Sequence, residues 1–401
     1  MHLSDFGRER TMAGQRELAN AMRVLVKRDT PEIAEALEGA DDSTFLEPLL
    51  FTYFAEPESK VGLPQILFGA VAPAMRPDGI EIWVDERGRA FVPRIGTFVT
   101  DQRETSLILA WDRTGDTYEL TGDSRAIPFR LEPSLFVPGT AIELVQFEDP
   151  LTLTRFVDTN GARARVEIDG RIDRHLHHIA RGLGRIAEVK PDYCQEILRV
   201  TRRLVCFRHD NVNSFATINA HGTAFFNARD DHDEIFFVDE LAHQCGHIVF
   251  NAMTVARRDF FDTNPDGPLN AIAPREVDGR TIYDAFHGLY TEHSMTGVLR
   301  EVDERGLYGG RQAHELFGRL SFIARKHRVD LRNLSGDGIF TPLGRQMYDY
   351  FERAFREVFD ARRELFETDM TGQPYNFDFP RFARLNPMTY RTPFLSTMAA
   401  E

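Results

Sequence analysis

The chain has 401 residues, 42% hydrophobic and 27% charged, an ordinary globular balance that argues against extensive disorder and allows two or three subdomains. Acidic residues outnumber basic ones by 62 to 48, a formal charge of −14 with no Lys/Arg-rich block, which argues against nucleic acid as a partner. The three cysteines, Cys194, Cys206 and Cys245, show no C-x-x-C spacing and make no disulfide framework, and without a signal core or a long apolar run the chain reads as soluble and cytoplasmic, with no membrane partner.

From 5 to 57 apolar residues recur at helical spacing, as in "ELANAMRVLVKR" and "FLEPLLFTYF". A linker with Gly62, Pro64, Pro73 and Pro77 follows. Between 78 and 158 short alternating runs broken by turn residues predict an antiparallel sheet. Helical spacing then returns in "RHLHHIARGLGRIAEV" and "YCQEILRVTRRLVCF", interrupted by a strand-like stretch at 214–228. The tail "NFDFPRFARLNPMTYRTPF" is aromatic enough to pack on the body. The expected fold is α+β: a helical N-terminal segment (1–60), a β-rich subdomain (61–158) and a mainly helical metal-binding catalytic domain (159–401).

Chemistry concentrates in two of these helices. "DELAHQCGHIVF" at 239–250 sets His243 and His247 four apart, which stacks both imidazoles on one helical face. Over 236–253, Glu240, His243, Gln244, His247 and Asn251 make one polar stripe in an otherwise apolar helix, so a buried helix with its polar side toward a cavity is predicted. A second helix at 281–300 repeats the design with Asp284, His287, Thr291 and Ser294. Together they offer three imidazoles to one metal: His243, His247 and His287. Glu292 and His293 compete for the third place, and Glu292 is the alternative retained. His175, His177, His178, His221 and His232 sit in looser settings and read as surface or core residues.

The spacing is that of H-E-x-x-H zinc peptidases, whose glutamate orients and deprotonates a metal-bound water. Here that position is Gln244, and an amide cannot take the proton. Glu240, one turn earlier, is better placed to partner a ligand imidazole. A centre with three protein ligands and open positions suits iron with a bidentate organic acid and oxygen, which needs no adjacent base. The acid's distal carboxylate requires a cation, and Arg280, seven residues before His287, offers a planar fork that meets a carboxylate bidentately.

The stretches "GTAFFNARDDHDEIFFVDELAHQCGHIVFNAM" and "GRTIYDAFHGLYTEHSM" resemble the H-E-x-x-H-containing, 2-oxoglutarate-dependent peptide β-hydroxylases associated with ribosomally made natural products. Gly222 matches that family's glycine turn, His243 and His247 its histidine pair, and Arg280, His287 and Gly288 its later R-P…L-H-G segment. The likeness spans 214–300 and departs at Gln244, where the family has glutamate, and at Thr281, where it commonly has proline. It implies an Fe(II) dioxygenase that uses 2-oxoglutarate as cosubstrate to hydroxylate a β-carbon in a peptide; Gln244 and Glu240, beside the histidine pair on the stripe, are this chain's own catalytic candidates. Two alternatives stay open: a zincin-like peptidase holding zinc through His243, His247 and Glu292, and a non-catalytic relative whose 78–158 sheet captures an extended peptide.

Overall fold

A computed structural model describes residues 3–56, 58–112, 117–273 and 279–388 of the chain. They divide into two units, Met1–Pro265 with Gly338–Gly344, and Asp266–Asp337 with Arg345–Glu401.

In the first unit the expected N-terminal helices are α1 (Leu3–Asp29), α2 (Pro31–Ala36), α3 (Asp42–Phe45) and α4 (Pro48–Ala55), and the expected linker contains α5 (Leu63–Leu67). Their apolar faces meet in a core that includes Val26, Phe45, Leu50 and Leu67. The strands that follow are β1 (Ile80–Val84), β2 (Arg89–Val92), β3 (Gly96–Val99), β4 (Thr105–Asp112), β5 (Thr117–Gly122), β6 (Arg125–Ala126), β7 (Arg130–Glu132), β8 (Leu135–Phe136) and β9 (Glu143–Leu144). Among the described residues two sheets, β1-β4-β5-β6 and β2-β3-β7, are wholly antiparallel, with Ile82, Val84, Phe98 and Leu109 turned into their shared core.

Next come α6 (Pro150–Leu153), α7 (Arg171–Val189), α8 (Pro191–Val200), β10 (Arg203–Phe207), β11 (Phe215–Ala216), β12 (Thr223–Asn227) and α9 (Glu234–Met253). The stretch "YCQEILRVTRRLVCF" was expected to be helical throughout, and this needs correction: helix ends at Val200 and the last five residues are strand β10. All five are buried. β10 runs parallel to both β9 and β12 in a sheet of order β11-β12-β10-β9-β8. A strand inside a parallel pairing is covered on both faces and loses the alternation that marks exposed strands, so its apolar run cannot be told from buried helix by period.

α9 starts at Asp233, whose side chain accepts from the Ile235 amide, and its first-turn Glu234 pairs with Arg181 at 2.6 Å. A negative charge there suits the positive end of the helix dipole. The helix packs on α1, α7, α8 and β12, which explains why nearly every residue from Glu234 to Met253 is buried.

The second unit is built from α10 (Ile282–Glu304), α11 (Gly310–Asn333), most of α12 (Pro342–Phe359) and α13 (Phe379–Leu385), with α10 lying along α11. Phe379 and Phe382 of the aromatic tail are buried, as expected of it, while the part of that tail beyond residue 388 lies outside the described residues. Helices and antiparallel sheets are both present, and the architecture is α+β. Among the described residues no helix is long and apolar enough to cross a membrane.

Candidate functional site

α9 brings its predicted residues together. His243 and His247 are both half-buried, with ring centroids 4.9 Å apart. Gln244 is buried beside them. Its Nε2 lies 3.1 Å from Oε2 of Glu240 and 3.1 Å from Nδ1 of His243, and its Oε1 is buried without a hydrogen-bond partner. The amide thus bridges the carboxylate to the imidazole, and one connection from Glu240 to His243 runs through Gln244. Cys245 faces away from this stripe, toward Thr201 and Cys194, and burial pushes its thiol up to about 12. A thiol so far above neutrality carries almost no thiolate and is inert.

Arg280, His287 and Glu292 belong to the second unit. α10 opens with a capping box, in which the Thr281 hydroxyl accepts from the Asp284 amide and the Asp284 carboxylate accepts from the Thr281 amide. Asp284 is therefore exposed at the helix start, not on an inward stripe as the spacing suggested; its side chain serves orphan amides that every helix must satisfy. Thr291 donates to the Gly288 carbonyl at 3.0 Å and Ser294 to the Tyr290 carbonyl at 2.9 Å, so both bond back into their own helix. Of the predicted stripe, His287 is left as the group with metal-binding chemistry; it is buried with its ring against Tyr283.

Arg280, just before the capping box, directs its fork at Asp330 of α11, with nitrogen–oxygen distances of 2.7 and 2.6 Å. Asp330 escaped sequence reasoning. Its signal was a carboxylate three residues after His327 on the apolar face of α11, where both are buried. Glu292 is also buried, and burial first, then the neighbouring Asp330 charge, raises its carboxyl well above the usual range, with Lys326 and Arg280 pulling the other way.

No known family model matches this chain, and no curated protein does either.

Among the described residues no three His, Cys, Asp or Glu side chains are grouped as a metal site would group them. The pair on α9 nevertheless fits a metal by donor type and spacing, and Gln244 supplies a further test of fit. A metal on Nε2 of His243 needs the ring proton on Nδ1, whereas the amide nitrogen of Gln244 donates to Nδ1 here, so a metal on that nitrogen would require the amide to turn over and set its oxygen against Glu240.

The bridging amide makes a prediction. Gln244→Glu restores the peptidase motif on paper, but a carboxylate cannot donate to Glu240 or His243 and would stand against Glu240 as a like charge. The variant is expected to lose about 1–2 kcal/mol in urea unfolding and to gain no peptidase activity on casein. An equally stable variant that cleaves casein would reverse this assignment.

Proposed function

We propose that the chain is an Fe(II)- and 2-oxoglutarate-dependent oxygenase that hydroxylates a β-carbon in a peptide substrate, such as a ribosomally made precursor. The observation that carries this is the α9 pair: two adjacent half-buried imidazoles with a bridging amide where a hydrolase needs a carboxylate. Lacking a base for water, the pair favours redox over hydrolytic use of a metal. In this reading His243 and His247 would hold the iron, and the sequence spacing offers His287 as the third ligand and Arg280 for the distal carboxylate of 2-oxoglutarate. Burial and the neighbouring Asp330 charge raise the carboxyl of Glu292, the alternative ligand, and a carboxyl that is harder to ionise is a poorer ligand. When bound, iron with the cosubstrate supplies the oxidising power. The protein's own part is to fix the imidazoles, position His243 through Gln244 and exclude water around α9.

The test is metal content of the full chain reconstituted anaerobically, together with His243→Ala and His287→Ala. Roughly one iron per chain is expected in the parent, lost in both variants, with iron-dependent consumption of 2-oxoglutarate in the parent alone. Zinc retained in His287→Ala would instead indicate a zincin-like site. A parent that takes up no metal but binds peptide would leave only the binding role.

A further inference from the structure

In the first unit, β1 and β2 share a cleft with the stretch from Glu143 to Asp149, and none of its lining residues comes from α9. About 560 Å³ of it is free of atoms, the open mouth included, which suits a flat head group on a thin stem. Three half-buried rings, Trp83, Phe91 and Phe147, stand in its wall, and each carries one of the chain's own cations. Lys60 Nζ lies 4.3 Å from the centre of the Trp83 ring, and the guanidinium carbons of Arg203 and Arg89 lie 4.8 and 4.4 Å from those of Phe91 and Phe147. Arg203, 4% exposed, is also gripped by Glu143 at 2.8 Å and by Glu47 at 2.9 Å. These surroundings hold guanidinium groups by their flat faces and by their edges, the two features that set arginine apart from a point charge.

Four carboxylates but only two guanidinium groups line the cleft. Glu143 pairs with Arg203 and Glu148 with Arg87, whereas Asp85 and Asp149, 8% and 5% exposed, have no ion pair among the described residues. Both bond instead to backbone amides: Asp85 accepts from Arg87 and Arg89 at 2.8 and 2.9 Å, and Asp149 from Thr152 at 2.9 Å. A turn and a helix cap of this kind need only a side-chain oxygen, which asparagine supplies as well. Burying a full charge there without a counter-charge is a cost that the local fold does not require. We infer that this cleft binds an alkylguanidinium cation, whose charge is met by Asp85 and Asp149 and whose plane is met by the aromatic wall. An organic anion would find both lining arginines engaged, Arg203 by its two glutamates and Arg89 by Asp169 at 2.7 Å. The site goes beyond the oxygenase reading and needs no metal.

The test titrates the full chain calorimetrically with two probes: agmatine, a free alkylguanidinium, and N-acetyl-arginine methylamide, which presents the same group on a peptide backbone. Agmatine is expected to bind the parent and to bind Asp149→Asn and Asp85→Asn about tenfold more weakly, although both variants keep an oxygen for the backbone amides. Trp83→Leu, which removes a ring but no charge, should weaken binding about threefold and decides the matter if the asparagine variants do not fold. Binding of agmatine alone would assign the cleft to a free small molecule, and equal binding of the second probe to an arginine side chain of a peptide; either result supports the site. A parent that binds neither probe would overturn it. So would folded asparagine variants that lose stability in urea yet bind agmatine as tightly as the parent, since both carboxylates would then be architectural. Tighter binding of succinate than of agmatine would overturn the cation in favour of an anion held by Arg89 and Arg203.

Discussion

His327→Leu is expected to gain about 2 kcal/mol of stability over the parent when the comparison is moved from about pH 7 to about pH 5. His327 is 1% exposed on α11, its ring lies 5.1 Å from that of Phe355 and 6.5 Å from that of Phe359, and neither ring nitrogen has a hydrogen-bond partner. Burial, helped by the charge of His293, lowers its pKa from 6.5 to about 3. The sign follows from linkage. A base whose folded pKa is depressed binds its proton first in the unfolded chain, so the folded state is favoured above the unfolded value and loses ground as pH falls from 6.5 toward about 3. Each unit of that fall costs about 1.4 kcal/mol.

His175, lowered to about 4, and His221, lowered to about 3, add the same slope in the first unit, each chiefly through burial. Glu47, Asp149 and Glu292 run the opposite way, since burial raises them and acid then relieves their desolvation. The parent's own pH profile is a sum of opposed slopes, and the difference between variant and parent isolates His327. Urea midpoints at the two pH values provide the measurement. A difference that stays constant would mean that the imidazole finds a proton acceptor or water in solution.

How much of this could be read beforehand depends on whether the determining contacts were local. α9 was legible because its period, its acidic cap and its unbroken apolar cover all lie within twenty residues. The same density of apolar residues misled at β10, where the deciding fact is pairing with β9 and β12, strands distant in sequence. Asp284 looked like part of an inward stripe because spacing alone does not distinguish an N-terminal cap from a buried position one turn inside. The partners of Arg280 and Gln244 are instructive opposites. Gln244 bonds to residues one and four positions away, which helical geometry fixes, whereas Asp330 lies fifty residues beyond Arg280 and depends on α10 packing against α11. His175 was assigned a bland role and His327 was not singled out, and the burial of both without partners is a property of the packed core that no pattern in the chain announces.

The approach of α1 to α9 yields the largest expected loss of stability. Gly14→Ala puts a Cβ 1.7 Å from the Ala252 carbonyl oxygen, 2.7 Å from its carbon and 3.2 Å from Val255. Two of these are backbone atoms of the helix that carries His243 and His247, and neither can rotate away. Helix propensity alone would favour alanine over glycine by about 1 kcal/mol. Overpacking typically costs about 1–3 kcal/mol, and a backbone clash this close forces the two helices apart, so packing wins and the net loss should be at least about 2 kcal/mol. Gly7 on the same helix supplies the control, because a Cβ there meets only the Met253 sulfur at 3.8 Å, an ordinary contact. Gly7→Ala should therefore follow propensity and stabilise the chain by roughly 0.5–1 kcal/mol. Opposite signs in urea unfolding of the two variants are the expected result. If both glycines tolerated alanine equally, α1 would not seat on α9 at Gly14, and the covering that keeps the histidine helix dry would have to come from elsewhere.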